Sequence, residues 1–147
     1  MDATAMTRYI SETFDQARST ESSGDTFFTY GPPGDQWLLF ATVVTGDTYD
    51  SVSDLSREGA YRLNLGLTKA TYTARFGRPP TERDEHGVLE TGHDYARRDA
   101  VMPHPHYASQ HWVCVVEPSG TLGDVRELLE EAYRFAERKH ANRSSRG

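Results

Sequence analysis

A chain of 147 residues with 36% hydrophobic and 26% charged side chains has the size of one globular domain, long enough to bury a core without disulfides or a structural metal. Its formal net charge of -6 argues against an extended nucleic-acid footprint, because phosphate binding needs a surplus of Lys and Arg on one face. The single cysteine excludes an internal disulfide, and no stretch approaches the roughly 18 apolar residues of a membrane span.

Residues 4–18 place Met6, Tyr9, Ile10, Phe14 and Ala17 at three- and four-residue spacing, which predicts an amphipathic helix. Residues 19–25 are small and polar and read as a connection. Aromatic and β-branched residues 26–30 predict a strand stopped at Gly31-Pro-Pro-Gly-Asp, and residues 36–45, apolar on both alternating faces, predict a central strand in hairpin with it. Residues 46–59, rich in Asp and Ser, form a long loop and a candidate lid or binding loop. Residues 60–67 alternate, so that Tyr61, Leu63, Leu65 and Leu67 face a core while Arg62, Asn64 and Gly66 face away. Thr68 caps a short helix to about residue 76, ended by Gly77-Arg-Pro-Pro, and the charged residues 81–92 are expected to be mobile.

Residues 93–110 predict an ordered irregular segment in which the prolines of Met102-Pro-His-Pro-His-Tyr impose extended or polyproline geometry on Met102 and His104. Residues 111–116 predict a buried strand, with Cys114 acting as a small hydrophobe and implying a reducing compartment. Thr121 starts a final helix to about residue 140, and residues 141–147 are expected to fray. The element order predicts an α+β fold: a single-layer antiparallel β-sheet, helices packed on one face, and the opposite face open as a pocket. One domain is expected over residues 1–147, with its core between about residues 4 and 140.

Two groups of polar residues could carry chemistry. Arg62 and Asn64 sit in an otherwise apolar strand, where a five-donor guanidinium and an amide suit a carboxylate, phosphate or carbonyl ligand. The structural alternative pairs Arg62 with Asp54 or Asp99 and sets Asn64 against a loop backbone. The second group is His104, His106 and Tyr107 with His111 and Trp112 behind them, preceded by His93, Asp94, Arg98 and Asp99. Histidine is the usual general acid or base near neutral pH, and a carboxylate such as Asp94 or Asp99 could orient a ring. The catalytic candidates are therefore His104, His106 and Asp99, with Arg62, Asn64, Tyr107, His111 and Trp112 as ligand contacts. The structural alternative has the Pro-flanked histidines capping strand ends through ring-to-backbone hydrogen bonds. His-x-His could bind a metal with a third ligand from His93, His111 or an Asp. Polyproline geometry at Pro105 turns residues two apart in different directions, so no metal is expected. No phosphate-binding glycine pattern or nucleophile elbow is present and Cys114 is mid-strand, so no cofactor is expected either. Glu and Arg residues four apart on the last helix read as a solvated, ion-paired face.

Taken together, Thr26-Phe-Phe, Ala41-Thr-Val-Val-Thr, Tyr49-Asp with Ser53-Asp-Leu, Tyr61-Arg-Leu-Asn-Leu-Gly, Asp94-Tyr, Met102-Pro-His-Pro with Tyr107, and Trp112-Val-Cys-Val with Pro118-Ser resemble an uncharacterised bacterial family of small proteins, a domain of unknown function. The resemblance spans residues 7–139 and implies a fold without implying catalytic residues. More distantly, the layout is similar to the YjbR/MmcQ group, which implies a CyaY-like α+β fold; the DNA-binding role suggested for that group conflicts with the acidic charge here. Members also resemble accessory proteins of biosynthetic pathways.

These readings converge on a cytoplasmic monomer or homodimer that takes a small organic ligand on the open sheet face, with no membrane or nucleic-acid partner. Trp37 or its neighbours, Arg62, Asn64, His104, His106, Tyr107 and Trp112 would line the site. It would either bind only or run cofactor-independent acid/base chemistry of the cyclase, isomerase or dehydratase type. The alternatives are a protein-interaction or regulatory domain and, third, DNA binding through Arg97, Arg98 and the Arg-rich tail.

Overall fold

The computed structural model describes residues 1–31 and 36–146. Helix α1 (Ala3–Thr13) starts where the Asp2 carboxylate accepts a hydrogen bond from the Ala5 amide (2.8 Å), and it buries Met6 and Ile10. The helix stops short of the expected residue 18 because Phe14 turns extended and packs against Phe40 and Tyr133. The chain then forms β1 (Ala17–Ser22) where a connection was expected. Five of its six residues are exposed, so no apolar alternation marks it in the sequence.

Strands β2 (Asp25–Tyr30), β3 (Leu39–Val44) and β4 (Arg62–Gly66) follow, then α2 (Lys69–Phe76), β5 (Met102–Pro103), β6 (Trp112–Val116) and α3 (Leu122–Arg146). The six strands form an antiparallel sheet in the order β1-β2-β3-β4-β6-β5, which makes the fold α+β. β2 and β3 pair as expected; residues 32–35 of their Gly-Pro connection lie outside the described residues. A 3-10 turn, Gln36–Leu38, takes the first positions of the expected central strand.

A bulge in β3 decides which residues face the helices. Phe28 opposes Ala41 and Thr29 opposes Leu39, which leaves Phe40 unopposed. Phe40 and Ala41 therefore both enter the core, while Leu39 returns to the open face with Thr42 and Val44. On the covered face, Phe28, Val43, Leu63, Leu65, Val113 and Val115 meet Val125, Leu129, Ala132 and Tyr133 of α3, with Met6 and Ile10 from α1 and Tyr72 from α2. Each large side chain buried there stabilises the fold by about 1.5–3 kcal/mol before cavity effects.

Thr68 caps α2 as its sequence position suggested, accepting from the Thr71 amide (3.2 Å). α3 continues to Arg146, beyond the expected residue 140, and Arg134 pairs with Glu130 and Glu137 along its exposed face. Residues 81–92, expected to be mobile, form a short hairpin closed by an Arg83–Leu89 bridge. Its Leu89 side chain is buried in the core and its Leu89 amide donates to the Pro105 carbonyl (2.8 Å). Among the described residues no helix is long and apolar enough to cross a membrane.

Candidate functional site

The period of two in each strand sends Thr42 and Val44 of β3, Arg62 and Asn64 of β4, and Trp112 of β6 to the face away from the helices. The loop of residues 46–60 folds over one end of this face. Its Leu55 and Ala60 form a small apolar cluster with Val44 and Val116, and the Leu55 amide donates to Asp47 Oδ1 (2.9 Å). Anchored in this way, the loop delivers Asp50 and Ser53 to Arg62.

Arg62 is only 2% exposed, so its charge needs a partner. Asp50 supplies it in a two-pronged pair, with Nη1 donating to Oδ1 (3.0 Å) and Nη2 to Oδ2 (2.8 Å). Nη1 also donates to Ser53 Oγ (3.0 Å), Nε donates to Asn64 Oδ1 (3.0 Å), and Asn64 Nδ2 donates to Thr42 Oγ1 (2.7 Å). The partner of Arg62 is thus Asp50, and neither Asp54 nor Asp99. Asn64 orients the guanidinium and serves no loop backbone. Burial works to raise the Asp50 pKa, but the hydrogen bonds and charge of Arg62 outweigh it, and the carboxyl is held below its ordinary value. Burial likewise opposes the Arg62 charge, and Asp50 reverses that effect.

The second wall comes from the segment after β5. His104 Nδ1 accepts hydrogen bonds from the backbone amides of His106 (3.0 Å) and Tyr107 (3.1 Å), which places the proton of the neutral ring on Nε2. Burial, helped by the Arg62 charge and opposed by Asp50, pushes the His104 pKa well below its ordinary value, so the ring is neutral near pH 7. His106 Nε2 lies 3.9 Å from Asp50 Oδ2 and is buried without a hydrogen-bond partner. That separation exceeds hydrogen-bond length. Arg83 of the 81–92 hairpin holds this segment in place, with Nη2 donating to the His106 carbonyl (3.1 Å) and Nη1 to the Gly87 carbonyl (2.9 Å).

Gly66 sets the position of Trp112. A Cβ at residue 66 would lie 2.8 Å from Trp112 Cε2, closer than carbon atoms tolerate, so only glycine lets the indole lie across β4. Between these walls is a cavity of about 770 Å³, lined by Phe27, Leu39, Tyr49, Tyr107 and Trp112 as apolar surface and by Thr42, Asp50, Arg62, Asn64, His104 and His106 as polar groups. Its volume falls within the usual range of small-molecule sites.

Six of the eight residues singled out from the sequence meet at this cavity: Arg62, Asn64, His104, His106, Tyr107 and Trp112. Asp99 is elsewhere. It accepts from the amides of Ser119 (2.7 Å), Gly120 (2.9 Å) and Thr121 (3.0 Å) and from the Thr121 hydroxyl (2.7 Å), which satisfies donors at the start of α3. The Thr121 hydroxyl, followed by those amides, holds its pKa well below the usual carboxylate range. His111 adopts a left-handed backbone (φ 71°) and turns its ring to Tyr72, 5.7 Å away, while Trp37 is exposed beneath Lys139. Sequence reasoning missed Asp50, Phe27, Tyr49, Arg83 and Gln110. Asp50 had a signal, its place in the Asp-rich loop, but nothing separated it from Asp47 and Asp54.

Among the described residues no group of three or more His, Cys, Asp and Glu side chains is placed to hold a metal ion. Cys114 is buried, its Sγ 3.8 Å from the Pro103 carbonyl, and burial pushes its thiol up to about 12, which removes it as a nucleophile.

These features define an α+β protein with a charged network and an aromatic-walled cavity on the face of its sheet that the helices leave uncovered. The chain belongs to a family of unknown function, DUF6194, whose sequence model matches residues 1–145. No curated protein and no solved structure matches it, and the likeness to the YjbR/MmcQ group finds no support there.

Proposed function

We propose that the protein binds a small organic molecule in the cavity over the open sheet face and uses His106 to move a proton on it without a cofactor. The observation that carries this reading is the buried, unpartnered Nε2 of His106 on an aromatic-walled cavity of about 770 Å³. A buried nitrogen without a partner is costly, and a ligand atom is the partner that a cavity of this makeup would admit.

The roles divide by hydrogen bonding. His104 has its Nδ1 committed to two amides and resists protonation, so it serves as a neutral donor through Nε2. His106 has an uncommitted nitrogen, so a ligand atom that comes within hydrogen-bond reach of it can exchange a proton with the ring, and the Asp50 carboxylate 3.9 Å away favours the charged ring that results. Arg62 fixes Asp50. Isomerisation, dehydration and aldol-type cyclisation need only such an acid or base beside a carbonyl, which makes them the fitting reaction classes.

Native mass spectrometry of protein purified from its own host tests the reading. The expected result is an organic adduct of constant mass that is lost in Trp112→Ala. A bare wild-type chain whose tryptophan emission is also unmoved by host metabolite extract would overturn it. A second reading, a docking surface for another protein, draws on Tyr49 and Tyr107, 56% and 53% exposed. In that case the extract would leave the emission unchanged and a protein partner would shift it.

A further inference from the structure

Resting on the ligand cavity proposed above, the geometry points to its occupant: we infer that the site takes a planar aromatic ring carrying an uncharged hydroxyl, a phenol-class ligand, with that hydroxyl seated between His106 Nε2 and Asp50 Oδ2.

Charge narrows the choice first. Arg62 would suit a carboxylate or phosphate if its fork were free, but Asp50 occupies both prongs and Asn64 and Ser53 take further donors. An anion entering here meets a guanidinium already neutralised and an Asp50 carboxylate that repels it. Arg83 lines the cavity too, yet its Nη1 and Nη2 are directed to backbone carbonyls. A cation would have to compete with Arg62 for Asp50 and lose its own hydration. A neutral ligand incurs neither cost.

Shape comes second. Trp112 lies across Gly66, Phe27 and Tyr49 meet edge to face at 6.2 Å, and Tyr107 stands by the two histidines. Flat aromatic walls favour offset stacking and edge contacts with another flat ring.

The polar gap comes third. His106 Nε2 and Asp50 Oδ2 are 3.9 Å apart. An oxygen at about 2.8 Å from each would see them at an angle of about 90°, roughly 20° tighter than the near-tetrahedral directions of a hydroxyl's hydrogen and lone pairs, a bend that two hydrogen bonds can share. Asp50, held ionised by Arg62, can only accept, so the ligand hydroxyl donates to it and accepts from His106 Nε2–H. A phenol is a stronger donor than an alkanol, and its ring matches the walls.

Isothermal titration calorimetry with three probes sharing one ring tests this: naphthol, its methyl ether and naphthoate. Naphthol should bind about tenfold more tightly than the ether, the worth of one hydrogen bond to a charged acceptor. In His106→Phe, which leaves the Arg62–Asp50 pair in place, both naphthol and its ether lose the bond from Nε2–H and both should weaken, while the tenfold ratio, set by donation to Asp50, should persist. Equal binding of naphthol and ether overturns the hydroxyl assignment. Naphthoate binding tightest overturns the neutral-ligand inference and leaves the cavity reading standing. If none of the three binds, the inference fails, and native mass spectrometry separates the cases: an adduct on the purified protein keeps the cavity reading, and a bare chain removes both.

Discussion

Mild acid should destabilise this protein through His104. In the fold its ring is neutral and its pKa lies well below 6.5, the value expected once the chain unfolds. Between these two values the unfolded chain holds a proton that the folded chain does not, so stability is full above pH 6.5 and declines as pH falls. The slope is about 1.4 kcal/mol per pH unit for one such group. Going from pH 6.5 to pH 5 therefore removes at most about 2 kcal/mol, with a Tm drop of at most roughly 4–8 °C for a chain of this length. The carboxylates of Asp50, Asp84 and Asp99 act elsewhere: their pKa values are lowered from 3.8, so their contribution is lost only in stronger acid. His111, depressed by burial and by Lys69, adds in the same direction as His104. The comparison that isolates His104 is His104→Asn, whose Oδ1 can accept the His106 and Tyr107 amides as Nδ1 does and which does not titrate. Urea unfolding followed by circular dichroism across this range should show the variant with a distinctly shallower pH slope than the wild type. Equal slopes would show that His104 can be protonated in place, and the account of its hydrogen bonding would fall.

Two further outcomes follow from the geometry. Replacing either Asp50 or Arg62 with Ala leaves its partner charged and buried, which should cost about 3–5 kcal/mol and release the amides of residues 46–60 to faster hydrogen exchange; unchanged exchange would show that Leu55 alone holds the loop. Gly66→Ala forces a methyl against the Trp112 indole and should cost about 1–3 kcal/mol, with a red-shifted Trp112 emission in a Trp37→Phe background; an unshifted spectrum would mean that the ring has room to move.

The parts of the site that were legible in the sequence are those set by strand parity. In Arg62-Leu-Asn-Leu-Gly66 the polar and apolar residues alternate, and a pleated strand has only one way to resolve them, so Arg62 and Asn64 could be assigned to the open face. Parity also carries Trp112 there, opposite Gly66. The same alternation sends His111, the neighbour of Trp112, to the covered side, where its ring meets Tyr72 of α2, so grouping it with Trp112 as a ligand contact went against parity. β1 left no trace because an edge strand with both faces in water needs no alternation. The ion pair was illegible for a different reason. Asp50 and Arg62 are joined through a loop whose trace is fixed by Leu55 packing on Val44 and Val116, and composition does not show which of several aspartates such a loop will present. Asp99 illustrates the reverse case. Thr121 was recognised as a helix start, but the backbone donors around it drew their acceptor from a residue 22 positions earlier in the chain.

The reassignment of Arg62 changes what the site can select. An arginine free on a sheet face would choose anions, whereas this one, buried and engaged, chooses nothing directly. A buried ion pair is weak evidence of stability, since an apolar pair of similar volume often serves as well or better. The physical effect of the pair lies in what it does to Asp50: two guanidinium bonds fix the carboxylate plane, keep it ionised and hold Oδ2 toward His106. Asn64 and Thr42 extend the same constraint into β3, so that the orientation of one carboxylate is set by two neighbouring strands, β4 and β3. If that orientation is the reason for the network, Asp50→Asn should keep the loop closed better than Asp50→Ala while losing the preference for naphthol over its methyl ether. Comparable loss of loop closure in both variants would instead make the charge itself, and not its aim, the controlling property.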